Sequence, residues 1–72
     1  MYYISDNKSD LEAYNNLVSI GERYDGLTTT RWANVIEHPY NGLFAILKHD
    51  KYNTDLETVE ALGSDWFPQD IL

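Results

Sequence analysis

The chain carries at residues 28–50 the sequence TTTRWANVIEHPYNGLFAILKHD, whose pattern is that of a β-hairpin. Two runs rich in β-branched, aromatic and aliphatic residues flank the tetrapeptide Pro39-Tyr40-Asn41-Gly42. Asn-Gly between two such runs is the strongest short-range hairpin signal that a sequence carries. We therefore predict a central antiparallel hairpin with arms at about 29–37 and 43–49.

The sequence leaves the register of this hairpin open. A two-residue loop would place Ile36 opposite Leu47, whereas a four-residue loop would place Val35 opposite Ile46. These four residues form adjacent apolar pairs in each arm, so neither face of the sheet is purely polar. One face can be covered by a helix, and we expect the C-terminal third to cover the other.

A long amphipathic helix is predicted at about 9–25, after a short first strand at residues 1–4. Ser9 and Glu12 match a capping box, in which each side chain accepts from the backbone N–H of the other residue. Gly26 is the natural stop. Gly21 lowers helix stability by about 1 kcal/mol relative to Ala, so we expect a strand or a Trp to pass close to it. The apolar stripe of this helix is predicted to consist of Leu11, Tyr14, Leu17, Val18, Gly21 and Tyr24, and the solvent side of Glu12, Asn15, Asn16, Ser19 and Glu22.

The C-terminal third contains a second capping-box pattern at residues 54–57, and Gly63 follows as a stop. A short helix at about 55–62 is the preferred interpretation, and a third strand of the hairpin through 58–62 is the alternative. We expect residues 69–72 to fray as a tail. The order β-α-β-β-α predicts a two-layer α+β fold, a single small domain over residues 1–72, with a right-handed crossover through the long helix.

Size and charge exclude several classes of protein. A chain of 72 residues buries only about 60% of its unfolded surface, and without Cys it has neither disulfides nor a Cys-based zinc site. Twelve acidic against five basic residues give a net charge of −7 and a pI near 4.4. Such a surface repels phosphate backbones and anionic lipid, so we predict no direct nucleic-acid partner and no membrane partner. With no signal peptide and no apolar run long enough to span a bilayer, we expect a cytoplasmic protein.

No motif in the sequence indicates catalysis. His38 and His49 are the only histidines, and they lack a metal-ligand spacing. No nucleophile elbow brings a Ser, His and Asp together, and the four glycines are too isolated to form a phosphate-binding loop. We predict that the protein is not an enzyme and has no catalytic residues, no cofactor and no metal site.

Aromatic side chains indicate how the protein could act. Trp32 either anchors the core against Leu17 or Tyr14, or belongs to an exposed aromatic patch of the kind enriched at protein interfaces. We predict a non-enzymatic interaction module that binds a protein partner or a second copy of itself. The candidate interface residues are Trp32, Tyr40, Tyr52, Trp66 and Phe67.

The acidic excess suggests an alternative function. Carboxylates could imitate nucleic-acid phosphates and block a basic groove on a host protein. The fold would then have to gather Glu12, Glu22 and Asp25 with the acids of the second helix. In composition the chain resembles the small, acidic, cysteine-free proteins common in phages and mobile elements, a resemblance that implies no residue roles.

Overall fold

A computed structural model describes residues 1–24 and 31–67 of the chain. The elements in chain order are β1 (Tyr2–Ser5), α1 (Lys8–Tyr24), β2 (Ile36–Glu37), β3 (Phe44–Leu47), β4 (Glu57–Val59) and a 3₁₀ turn (Ser64–Trp66). The four strands form one antiparallel sheet in the order β2-β3-β1-β4, and α1 packs against β1 and β3. The predicted small α+β class is confirmed.

The sheet places the first strand in its interior. β1 pairs with β3 on one side and with β4 on the other, both antiparallel. β1 and β2 therefore run in the same direction with β3 between them, so α1 connects two parallel strands that do not touch.

The hairpin adopts the four-residue-loop register. Ile36 of β2 is paired with Ala45 of β3. Continued by one residue, this register places Val35 opposite Ile46, as the four-residue loop predicts. The His38 N–H donates to the Leu43 carbonyl at 2.8 Å and closes the loop, in which Gly42 has a φ of +74°. A positive φ favours Gly because it has no Cβ, so the Asn-Gly signal located the turn correctly.

The first hairpin arm is shorter than predicted. Only Ile36 and Glu37 of the expected 29–37 strand are paired, and the second arm is Phe44–Leu47 rather than 43–49. Residues 31–35 lie outside the sheet, and the backbone of Trp32 and Ala33 within them binds side chains of α1 instead. Residues 29–30 lie outside the described part of the chain.

The start of α1 differs from the prediction. The helix begins at Lys8, and the Asn7 side-chain oxygen accepts from the Ser9 N–H at 3.0 Å. Asn is as good an N-cap as Ser, and its use here leaves Ser9 inside the first turn. The Ser9–Glu12 capping box was therefore wrong, and Glu12 pairs with Arg31 instead. The predicted stop at Gly26 lies outside the described residues.

The predicted helix at 55–62 was wrong. Glu57–Val59 is a strand, β4, which pairs with β1 so that Tyr2 faces Val59 and Ile4 faces Glu57. The alternative of a strand here was correct in type, although β4 extends the sheet at β1 rather than at the hairpin. β-branched Thr58 and Val59 suit an extended strand, and the free edge of β1 supplies hydrogen-bond partners that a helix would not need. The order is therefore β-α-β-β-β with a final 3₁₀ turn; the predicted tail at 69–72 lies outside the described residues.

The core lies between α1 and one face of the sheet. Its buried members are Tyr3, Leu11, Tyr14, Val18 and Ile46. The rings of Tyr3 and Tyr14 meet edge to face, with 4.9 Å between their centroids.

The predicted stripe of α1 was partly wrong. Leu17 is 51% exposed, whereas Asn15, Ser19 and Glu22, assigned to solvent, are buried. The buried side of the helix therefore includes these three polar residues, and each of them forms a hydrogen bond or an ion pair with the rest of the protein.

Candidate functional site

The buried polar side of α1 holds the chain that leads from the helix to β2. The Asn15 amide donates to the Ala33 carbonyl at 2.7 Å and accepts from the Ala33 N–H at 3.1 Å. The Ser19 hydroxyl accepts from the Trp32 N–H at 2.8 Å and donates to the Asn15 carbonyl at 2.7 Å. These bonds replace the ladder partners that this segment lacks, because buried backbone polar groups need partners. The role of Asn15 and Ser19 is therefore structural.

An ion pair extends the same attachment towards solvent. Both Glu12 carboxylate oxygens accept from the Arg31 guanidinium, at 2.7 and 3.3 Å. The Arg31 hydrogen bond lowers the pKa of Glu12 below its ordinary value, and Glu12 raises the pKa of Arg31. Both side chains are substantially exposed, so the pair adds orientation and little stability.

His49 lies at the centre of the first of two aromatic clusters. Its ring packs against the rings of Trp32 and Tyr52, with centroid distances of 5.3 and 5.0 Å. Its Nε2 pairs with the buried Glu22 carboxylate. Nδ1 accepts from the Lys51 N–H at 3.1 Å, which assigns the proton of the neutral ring to Nε2. Both ring nitrogens are thus engaged by the protein itself.

Tyr14 and Gly21 explain how the helix meets this cluster. The Tyr14 hydroxyl accepts from the His49 N–H at 2.8 Å and donates to the Tyr52 carbonyl at 2.9 Å, and burial raises the pKa of this phenol. The Tyr52 ring lies directly on Gly21, where a Cβ would fall 2.6 Å from Cζ. The close approach expected at Gly21 therefore exists, and it is made by a Tyr.

His38 lies at the centre of the second cluster. Its ring meets the rings of Tyr40 and Trp66 edge to face, with centroid distances of 5.6 and 4.8 Å. Nδ1 accepts from the Tyr40 and Asn41 N–H groups at 3.1 and 3.3 Å, so Nε2 donates to Asp65 at 2.8 Å. This hydrogen bond lowers the pKa of the Asp65 carboxyl below its usual range. The buried imidazole therefore joins the hairpin loop to the 3₁₀ turn.

The five candidate interface residues fall into these two clusters. Trp32 and Tyr52 surround His49 and pack against the core on the helix side of the sheet. Tyr40 and Trp66 surround His38; Tyr40 is 75% exposed and Trp66 is half-buried. Phe67 is half-buried directly after Trp66. Sequence reasoning did not detect that the histidines organise the aromatics, because no local spacing links Trp32 or Trp66 to either histidine.

The sheet face opposite α1 carries a second set of apolar side chains, which the strand register defines. Residues that are paired across strands point to the same side of the sheet, and the paired Tyr3 and Ile46 point to the helix. The residues before and after each of them along the chain therefore point away from the helix. We call this surface the outer face; one row contains Leu47, Tyr2 and Val59, and the next contains Ile36, Ala45, Ile4 and Glu57. Six of these seven side chains are apolar, but Ala45 is fully buried, so the exposed apolar part of the face comes from the other five. The adjacent apolar pairs of the hairpin arms were the sequence signal for this surface.

No protein-family model, curated protein or solved structure matches this chain. Within residues 1–24 and 31–67, no helix is long and apolar enough to cross a membrane. In the same part of the chain, no three His, Cys, Asp or Glu side chains are close enough together to hold a metal ion.

Proposed function

We propose that this protein is a non-enzymatic interaction module that binds a basic protein partner through the outer face of its sheet. The observation that carries the proposal is the pair of apolar rows that crosses the strands on the side away from α1. Leu47 at the end of one row is 45% exposed, and Tyr2, Ile4, Ile36 and Val59 are each partly exposed. Exposed apolar side chains grouped on one sheet face, here around the buried Ala45, are typical of protein interfaces.

The histidine clusters support a non-enzymatic role. The rings of His38 and His49 use both nitrogens for hydrogen bonds or ion pairs with the protein itself. A general base needs a free lone pair within reach of a substrate proton. Neither imidazole offers one, so the residues best suited to acid–base chemistry serve to hold loops together.

Charge favours a basic partner over a second copy of the chain. The net charge is −7, and Glu57 lies on the outer face itself, with Asp55 and Glu60 beside the same strand. A two-fold symmetric dimer brings the same patch of both copies together, so these carboxylates would face their own counterparts. A basic partner gains attraction from the same charges.

Two leucines of similar exposure allow a matched test. Leu47, 45% exposed, lies on the outer face, and Leu17, 51% exposed, lies on α1 away from it. The tagged wild-type protein and the variants Leu47→Ser and Leu17→Ser are used to capture binding proteins from extract of the native host. We expect Leu47→Ser to weaken capture of a basic protein by about tenfold or more, and Leu17→Ser to leave it unchanged.

Confirmation requires that the captured protein is basic, binds the purified chain directly, and shifts the NMR amide signals of Tyr2, Ile4 and Leu47. Capture that is insensitive to Leu47→Ser, or an acidic partner, would overturn the proposal. Sedimentation tests the second copy: a mass that rises above 8.4 kDa with concentration and falls back in Leu47→Ser would replace the basic partner with a homodimer.

The nucleic-acid-mimic alternative has less support. Glu12 is paired with Arg31, and Glu22 is buried against His49, so neither is available to imitate a phosphate. Asp25 lies outside the described residues, and residues 55–62, which were to supply further acids from a second helix, contain the strand β4 instead. The apolar rows also have no counterpart in a phosphate backbone.

A further inference from the structure

An open groove of about 400 Å³ adjoins the outer face where β1 ends and β4 begins. Its apolar lining comes from Ile4, Leu43 and Leu56, and its carboxylates come from Asp6, Asp55 and Glu57. Ile4 and Glu57 are also neighbours in the second row of the outer face, so the groove continues that surface.

The three carboxylates of the groove are not paired with any side chain of residues 1–24 and 31–67. None of them hydrogen bonds or ion-pairs with another residue in the part of the chain that the structure describes, in contrast to Glu12, Glu22 and Asp65. All three are exposed. The groove therefore combines an apolar floor with uncompensated negative charge, which is complementary to a long cationic side chain.

From this complementarity we infer that the groove receives an arginine side chain of the basic partner, an inference that rests on the proposed function. The aliphatic stem would lie on Ile4 and Leu43, and the guanidinium would reach the carboxylates of Asp55 and Glu57. Arginine suits this site better than lysine because its charge is spread over a planar fork that can bind more than one carboxylate and is weakly hydrated. Within the described residues no three acids converge on one point, as a compact metal ion would require.

A second groove of similar size provides an internal control. It measures about 420 Å³ and lies beside α1, where Ala13, Leu17 and Leu56 line it together with one carboxylate, Asp10. Both grooves offer apolar surface, but only the first offers three carboxylates. A ligand that binds by apolar contact alone should occupy both, whereas one that needs charge should prefer the first.

The test is an NMR titration of the ¹⁵N-labelled protein with N-acetyl-arginine amide. The neutral isostere N-acetyl-citrulline amide and N-acetyl-lysine amide serve as comparison probes. We expect the arginine probe to produce saturable shifts at the amides of Ile4, Asp6 and Glu57. The citrulline probe should give none, and the lysine probe should bind several-fold more weakly.

Variants locate the binding. The double substitution of Asp55→Asn with Glu57→Gln should weaken the arginine probe about tenfold or more, while Asp10→Asn in the second groove should leave it unchanged. Equal shifts with citrulline, equal affinity for lysine, or no saturable shift with arginine would each overturn the inference. The outcome is separable from that of the proposed function, because host capture that depends on Leu47 can succeed when the arginine titration fails, and the reverse.

Discussion

The buried amide of Asn15 gives the sharpest test of how this fold is held. Asn15 and Asn16 are adjacent on α1 and look equivalent in the sequence, where both are predicted to face solvent. In the structure Asn15 is 1% exposed and bonds both backbone groups of Ala33, whereas Asn16 is exposed. We expect Asn15→Ala to destabilise the protein strongly and Asn16→Ala to have almost no effect.

The magnitude follows from the two bonds lost. Each contributes about 0.5–1.5 kcal/mol net, and a buried backbone group left unpaired costs about 1–3 kcal/mol. Ala33 is only half-buried, so water can partly replace the amide, and Ala gains a few tenths of a kcal/mol in helix propensity. We therefore expect Asn15→Ala to lower the free energy of unfolding by about 2–3 kcal/mol, out of about 5 kcal/mol or less for a domain of this size.

Urea unfolding followed by circular dichroism measures this difference. With a urea m-value of about 1 kcal/mol/M for so small a domain, the midpoint should fall by about 2 M or more in Asn15→Ala. Asn16→Ala should stay within about 0.5 kcal/mol of wild type. Hydrogen exchange supplies a second readout, because the Ala33 amide should lose protection only in Asn15→Ala. Equal midpoints for the two variants would refute the reasoning, as would a protected Ala33 amide without Asn15.

Gly21→Ala should lower the free energy of unfolding by about 1 kcal/mol or more, because overlap with the Tyr52 ring outweighs the gain in helix propensity. In a Tyr52→Ala background the same change should raise the free energy of unfolding, and a loss of stability in both backgrounds would contradict the packing of Tyr52 on Gly21. Trp32→Ala should lower the free energy of unfolding by about 3 kcal/mol, the lower end of the range for a buried Trp because the ring is half-buried, and a wild-type melting temperature would show that the ring does not support the core. Because Arg31 lowers the folded-state pKa of Glu12, the stability from this pair is present above the ordinary pKa of 4.5 and is lost as the pH falls through the lower folded value. Glu12→Gln should therefore lose less stability than wild type in this acid range. Equal acid unfolding curves for the two proteins would show that the pair does not contribute to stability.

The local features of the fold were predictable from the sequence. The turn at Asn41-Gly42 and most of α1 come from signals carried by neighbouring residues, and the structure contains both. The hairpin register was narrowed to two choices, of which the four-residue loop is present. These features depend on turn chemistry and helical periodicity, which act within a few residues.

The features that were missed depend on distant partners. Residues 54–57 match a helix cap, but Glu57–Val59 form a strand because β1 offers an open edge more than fifty residues earlier in the chain. Helical periodicity places Asn15 and Ser19 on the solvent side of α1, but the backbone of residues 32–33 packs against them and buries them. The aromatic residues were recognised as important, but their division between His38 and His49 is set only by the tertiary fold.

The central place of β1 sets the order in which the protein can be assembled. During synthesis β1 leaves the ribosome before both of its neighbours, and its second neighbour, β4, follows only after the helix and the whole hairpin. The hairpin can form early and pair β3 with one edge of β1, but the other edge keeps its N–H and C=O groups unpaired until β4 has emerged. A ribosome stalled before residue 57 would therefore hold a nascent chain with an exposed strand edge, open to pairing with another chain.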